Sequence, residues 1–387
     1  VALVFSGGGA KGVSHIGVIE DLDSLQIPVD VVLGTSMGGL IGSLYSLGYS
    51  PEQMDSLVRS FDWDVALTDR IPRKYISYNT TKYKEKILLS FPFYYSKKTY
   101  ANKLEQDIQY AGAEKKYKKM HFGANDNEDA TRQVRDNLLG SLPSGFAFGQ
   151  NVNNIFSSLT VGYQDNMDFM DLPIPFVCVA TEMVTAKPKI WYDGKLNTAL
   201  RSTMSIPGVF APVKVDGMVL VDGGMRDNYP TDIAKEMGAD IIIGVDLSSG
   251  FRDYTQLNNL GDIISQGVDM LGRQSYESNV SIPDVTIRPR LDEFNMMSFD
   301  DKSVATIIQR GREAAAAQKV ALDSLKRIIG PGKTELRNRR AIDINTEPVR
   351  ISRVEIHGVT DKESKYLQRK IGINPNVAIS KDAIEDA

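Results

Sequence analysis

Val29-Asp30-Val31-Val32-Leu33-Gly34-Thr35-Ser36-Met37-Gly38-Gly39-Leu40-Ile41-Gly42-Ser43-Leu44 sets the fold class of this 387-residue chain. The run Val29–Leu33 reads as a buried strand, and Gly39–Leu44 as a helix built from small and apolar residues. Between them, Gly34-Thr35-Ser36-Met37-Gly38 has the G-x-S-x-G spacing of a nucleophile elbow. The two glycines answer a steric demand, because so sharp a strand-to-helix turn leaves no room for side chains at its flanks. Ser36 is left at the tip with its hydroxyl exposed and the positive end of a helix behind it.

Upstream, Val1-Ala2-Leu3-Val4-Phe5 reads as a second buried strand, running into Ser6-Gly7-Gly8-Gly9-Ala10-Lys11-Gly12. Val13, Ile16, Gly17, Ile19, Glu20 and Leu22 then recur at helical spacing. A glycine-rich turn between strand and helix presents unhindered N–H groups to an anion. Gly7-x-Gly9-x-x-Gly12 also fits a dinucleotide-binding turn, but that reading needs an acidic residue at the end of the second strand to hold a ribose. The second strand ends instead in Gly34-Thr35-Ser36, which favours an oxyanion hole for a tetrahedral acyl intermediate. Downstream, Met218-Val219-Leu220-Val221 leads into Asp222-Gly223-Gly224. An aspartate at the C-terminal end of a buried strand, freed by two glycines, can reach into a crevice above the sheet. Beside a nucleophile and an oxyanion loop, Asp222 is the leading candidate for the base.

These three segments resemble the signature motifs of the patatin-like phospholipases: the loop Gly7–Gly12, the elbow Gly34–Gly38 and Asp222-Gly223-Gly224. Ala199–Val213 is similar to the family's segment before the aspartate, and Pro173–Glu182 to its central strand. The resemblance covers about residues 1–320. It implies a three-layer α/β/α fold with a mainly parallel central sheet and a lipid acyl hydrolase acting on phospholipid or lysophospholipid. Ser36 and Asp222 would form a catalytic dyad, with oxyanion donors among the N–H groups of Gly7, Gly8, Gly9 and Met37. Gly12, Gly34, Gly38, Gly223 and Gly224 complete the motifs, and neither a cofactor nor a metal is implied.

The histidines agree with a dyad. A Ser-His-Asp triad requires an imidazole to take the serine proton, and the chain has three: His15, His121 and His357. His15 falls early in the first helix, where two readings are open: a place near the site, or local packing or capping, which suits it better. His121 lies in a polar, charged stretch and His357 in a separate C-terminal segment. None follows an acidic residue at a strand end, as the order Ser…Asp…His would require.

The formal net charge of −4 gives no reason to expect a nucleic-acid partner. The single cysteine, Cys178, sits in an apolar strand and permits no disulfide within a monomer. No apolar run approaches the ~20 residues of a transmembrane helix. The opening at Val1, inside a strand, implies a mature or trimmed form whose targeting signal is out of view.

Residues 1–330 are expected to form the acyl hydrolase domain. Ser50-Pro51-Glu52-Gln53 spells a capping box with proline at the first helical position, and Val304–Ile329 reads as one long helix. Residues 70–100 interleave tyrosine and phenylalanine with lysine and arginine, a mixture suited to a lipid–water interface, though an ordinary surface hairpin accounts for it slightly better. Residues 101–135 resemble an insertion. After a charged linker at 331–348, Val349–Gly358 alternates as a strand and Lys362–Lys370 suggests a helix. This order resembles the first half of a POTRA domain, the alternative being a small structural appendage. The resemblance implies a piece of a patatin–POTRA–barrel protein of the type V secretion class, peripheral to a membrane at the envelope of a Gram-negative cell. Two further functions stay open on the sequence: an acyltransferase using the same acyl-enzyme, and a non-enzymatic lipid-binding or outer-membrane assembly module.

Overall fold

The computed structural model describes residues 1–68, then 145–329 apart from 148, 161, 164, 249 and 252–259, and 349–380 apart from 355, 357–359 and 375. The aromatic and cationic stretch 70–100, the insertion 101–135, the linker 331–348, His121 and His357 fall outside these residues. The chain divides into two units, 71–143 and the remainder, and all described residues belong to the latter.

Eight strands form the central sheet: β1 (Ala2–Phe5), β2 (Val31–Thr35), β3 (Phe176–Glu182), β4 (Lys187–Trp191), β5 (Val213–Val215), β6 (Met218–Asp222), β7 (Ile242–Val245) and β8 (Val285–Ile287). The described helices are α1 (Ser14–Ser24), α2 (Met37–Leu47), α3 (Pro51–Ser60), α4 (Trp63–Thr68), α5 (Gln150–Leu159), α6 (Leu196–Thr203), α7 (Thr231–Glu236), α8 (Leu260–Leu271), α9 (Arg273–Asn279), α10 (Asp301–Ala317), α11 (Lys319–Ile329) and α12 (Asp361–Ile371). The pairs β8–β7, β7–β1, β1–β2 and β2–β3 are parallel, whereas β4 and β6 run antiparallel to β3 and β5 antiparallel to β6. The sheet is mainly parallel, as the family resemblance implies.

The central strands β1 and β7 are apolar and buried throughout, and β2 nearly so, because both faces are covered there. Ala2, Val4, Leu33, Val177, Val179 and Ile242 point to one side, where Ile233 and Ala234 of α7 meet them. Their neighbours Leu3, Phe5, Val32, Phe176, Cys178 and Ile243 point to the other, against Ile16 and Ile19 of α1, Leu40 and Ile41 of α2, and Ile307 of α10. Period-two alternation thus divides each strand between two cores, giving three layers.

The expected capping box forms at α3: the Ser50 side chain accepts from the Gln53 N–H, and the Gln53 side chain from the Ser50 N–H. The long helix expected over 304–329 is instead two, α10 and α11, parted at Gln318. Asp300 starts α10 four residues before the first apolar position by capping the Ser303 N–H at 3.0 Å. Beyond the linker, among the described residues of the strand expected over Val349–Gly358, Val349–Arg350 alone are in a strand, pairing antiparallel with Ala378–Ile379. A strand lasts only as long as its partner.

The register of β3 positions the chemistry. β4 pairs continuously with Cys178–Glu182. The other edge of β3 is shared, β2 pairing with Phe176–Val179 and β6 with Ala180–Glu182. Thr35 lies opposite Val179 and Asp222 opposite Ala180, so the C-terminal ends of β2 and β6 meet head to head.

Candidate active site

Ser36 follows β2 directly and caps α2, with φ 54° and ψ −127°. Such a backbone is strained for a residue carrying a Cβ and persists only where its surroundings over-determine it. Two glycines allow it: a Cβ on Gly34 would lie 2.5 Å from the Gly38 backbone, and one on Gly38 would lie 2.6 Å from the carbonyl oxygens of Phe5 and Ser6. A hydroxyl holds it, since the Ser36 N–H donates to Thr203 Oγ1 at 2.9 Å and that hydroxyl donates onward to the Val179 carbonyl. Thr203 ends α6, inside the segment noted for its family resemblance, but no local pattern points to this partner.

The Ser36 hydroxyl donates to Asp222 Oδ2 at 2.7 Å across a sequence separation of 186 residues. The other carboxylate oxygen, Oδ1, accepts the Gly224 N–H at 2.8 Å. Both side chains are buried. Burial pushes the Asp222 carboxyl up to about 6, against the opposing pull of the Ser36 hydroxyl and the Gly224 N–H. Asp222 is therefore ionised at neutral pH yet has a raised affinity for a proton.

His15 is not part of this pair. It is fully buried, its Nε2 lies 2.9 Å from the Ser6 carbonyl, and its ring packs against Phe5 at a centroid distance of 4.5 Å. Desolvation lowers its pKa to about 4, leaving a neutral imidazole beneath the glycine loop.

Gly7, Gly8 and Gly9 border the same cleft as Ser36 and Asp222, with Asn228, Lys11 and Met296 also on its walls. Gly12 lies behind, where a Cβ would come within 2.5 Å of Met37 Cβ, and Met37 opens α2. Gly7, expected among the oxyanion donors, gives its N–H to the Asn228 carbonyl at 3.2 Å. Ala10 donates to the Met296 carbonyl at 3.0 Å. The N–H groups of Gly8 and Gly9, between these anchors, have no protein acceptor among the described residues. Asn228 stands six residues after Asp222, and nothing in its own neighbourhood of the sequence marks it as a partner of the glycine loop.

Residues 3–235 match the family model described as Patatin-like phospholipase, a span that includes all three motifs. The chain belongs to the patatin-like phospholipase family. Among relatives of this patatin-like chain, human patatin-like phospholipase domain-containing protein 6 is 28% identical over 296 residues, 75% of this chain and 16% of that protein. Lysophospholipase NTE1 of Scheffersomyces stipitis is 26% identical over 265 residues, 68% of this chain and 13% of its own length. The patatin-like chain thus spans a small part of these larger proteins. Among solved structures, VipD from Legionella pneumophila overlaps 84% of this chain and 66% of its own, with 16% identity and a TM-score of 0.43, too low to extend the comparison.

Proposed function

We propose that this chain hydrolyses carboxylic esters of phospholipids or lysophospholipids, with Ser36 as nucleophile and Asp222 as general base. The 2.7 Å hydrogen bond from Ser36 Oγ to a carboxylate whose proton affinity burial has raised is the observation that carries the reading. Ser36 Oγ attacks the acyl carbonyl while its proton passes to Asp222 Oδ2. Asp222 returns that proton to the departing alkoxide, which leaves as the lysolipid or glycerol alcohol. Water then attacks the acyl-enzyme, again giving its proton to Asp222, and the Ser36 oxygen recovers it as the fatty acid leaves. The N–H groups of Gly8 and Gly9, joined by that of Met37 at the start of α2, receive the oxyanion. Gly7 contributes by placing Gly8, since its own N–H is engaged by Asn228.

The relatives' names, phospholipase and lysophospholipase, support the substrate class. A fluorophosphonate probe should label Ser36 in the parent, and Ser36→Ala should abolish both labelling and release of fatty acid from phospholipid vesicles. Labelling at another serine, or full activity in the variant, would remove the assignment. Including an alcohol acceptor in the vesicle assay separates hydrolysis from acyl transfer by product.

Peripheral membrane binding through residues 70–100 is proposed from their sequence composition. Charge reversal at Lys82, Lys84 and Lys86 should then lower co-sedimentation with anionic vesicles while leaving hydrolysis of a soluble ester intact. The POTRA-like order of the C-terminal segment supports a site at the Gram-negative cell envelope, which membrane fractionation of the full-length gene product would test.

A further inference from the structure

Three consecutive glycines make Gly7–Gly9 conformationally the freest segment of the cleft. A donor array works only if it is held in place before the charge develops, so the loop needs restraint from outside. At its far end the Ala10 N–H is fixed to the Met296 carbonyl. At its near end a single residue makes both contacts. The Asn228 carbonyl accepts the Gly7 N–H at 3.2 Å, and the Asn228 side-chain Nδ2 donates to the Gly7 carbonyl at 3.3 Å. The first bond alone would leave the Gly7–Gly8 peptide free to rotate; the second removes that freedom.

The same amide packs where the motifs converge. A Cβ on Gly7 would lie 2.5 Å from Asn228 Oδ1, and one on Gly224 would lie 2.9 Å from it. The preceding residue is tied to the elbow, the Thr35 hydroxyl donating to the Asp227 carbonyl at 2.9 Å. Asp227 is anchored in turn, its Oδ1 accepting from Ser275 Oγ at 3.2 Å and from Asn279 Nδ2 at 3.1 Å. Asn228 thus stands on a fixed turn, in contact with the glycine loop and with the turn that carries Asp222.

We propose that Asn228 is a positioning residue for acyl transfer: by gripping Gly7 at both its N–H and its C=O, it fixes the Gly7–Gly8 peptide, and with it the direction of the Gly8 N–H, in the cleft that Ser36 shares. This rests on Ser36 being the acylated residue. Asn228 itself takes no proton and forms no bond to substrate.

The test uses the whole chain with Asn228→Ala and the isosteric Asn228→Asp, which puts an acceptor where Gly7 needs a donor. On a soluble short-chain ester, both should lose roughly 10- to 100-fold in kcat with KM within about twofold, short of the loss from deleting an oxyanion donor outright. Inactivation by a fluorophosphonate should slow by a similar factor, because the phosphonyl oxygen needs the same donors. In Asn228→Ala the acid limb of the pH–rate profile should stay where the parent has it, since the base is untouched. A role in general folding would lower the melting temperature without splitting kcat from KM. If Asn228→Ala fails to fold, the same-shaped Asn228→Asp carries the kinetic comparison. Variants labelled and turning over as fast as a parent labelled at Ser36 would overturn this proposal alone. A parent labelled at another residue would overturn the nucleophile assignment and this proposal with it.

Discussion

Replacing Asp222 by asparagine should stabilise the protein while removing its activity. Burial raises this carboxyl from 3.8 to about 6, a difference worth roughly 3 kcal/mol. Its sign follows from linkage. A carboxyl whose pKa is higher folded than unfolded favours the folded state most when both are protonated, below about pH 3.8. That contribution is lost as pH rises towards 6, and above 6 the full penalty of about 3 kcal/mol is present. Asparagine keeps the shape, retains an oxygen for the Gly224 N–H and carries no charge to desolvate. Chemical denaturation near pH 7.5 should therefore show Asp222→Asn more stable than the parent by up to about 3 kcal/mol, the gap shrinking to about 1 kcal/mol near pH 4.5. Asp227, also pushed up by burial and by Asp232, titrates in both proteins and cancels in the comparison. Ester hydrolysis should fall roughly a hundred- to ten-thousand-fold, since an amide cannot accept the Ser36 proton. The parent's turnover should rise with pH through an apparent pKa of about 6. A variant no more stable than the parent near pH 7.5, or a gap that does not narrow on acidification, would refute the account of Asp222 as a desolvated base.

His15→Ala should leave the acid limb of the pH–rate profile unmoved and turnover within several-fold of the parent, because the imidazole is neutral and faces the Ser6 carbonyl; urea titration should register roughly 2 kcal/mol lost with its packing. Thr203→Val preserves volume but leaves the buried Ser36 N–H without its 2.9 Å acceptor, so a loss of about 1–3 kcal/mol is expected, read from the same titration. Gly7→Ala places a Cβ 2.5 Å from Asn228 Oδ1 and 2.9 Å from Ser36 Cβ; steady-state kinetics should show a deep loss of kcat in a protein that still melts cooperatively.

The parts of this molecule written locally in the chain could be read from it. Gly34–Gly38 announces its turn by spacing, Ser50–Gln53 by its capping chemistry, and β1 and β2 by runs that suit a sheet buried on both faces. Asp222 was legible through the strand before it and the glycines after. Contacts between distant residues left no comparable trace. Asn228 meets Gly7 across 221 residues and Thr203 meets Ser36 across 167, and neither residue type in its own neighbourhood suggests such a partner. The break at Gln318 was hidden because apolar periodicity continues across it. Alternation at 349–358 promised a longer strand than its short partner supports.

Because β2 and β6 share one edge of β3, the separation of Ser36 from Asp222 is ruled off in backbone steps, Val179 to Ala180, rather than by the chain that joins them. That connection can lengthen or shorten without altering the spacing, provided β3 keeps both partners. The arrangement is also all-or-nothing. A slip of β6 by one residue against β3 would turn Asp222 to the opposite face of the sheet, so partial misregister yields an inert protein rather than a weakened one. β3 carries neither reacting group, yet it is the segment whose length and pairing natural variation can least afford to change.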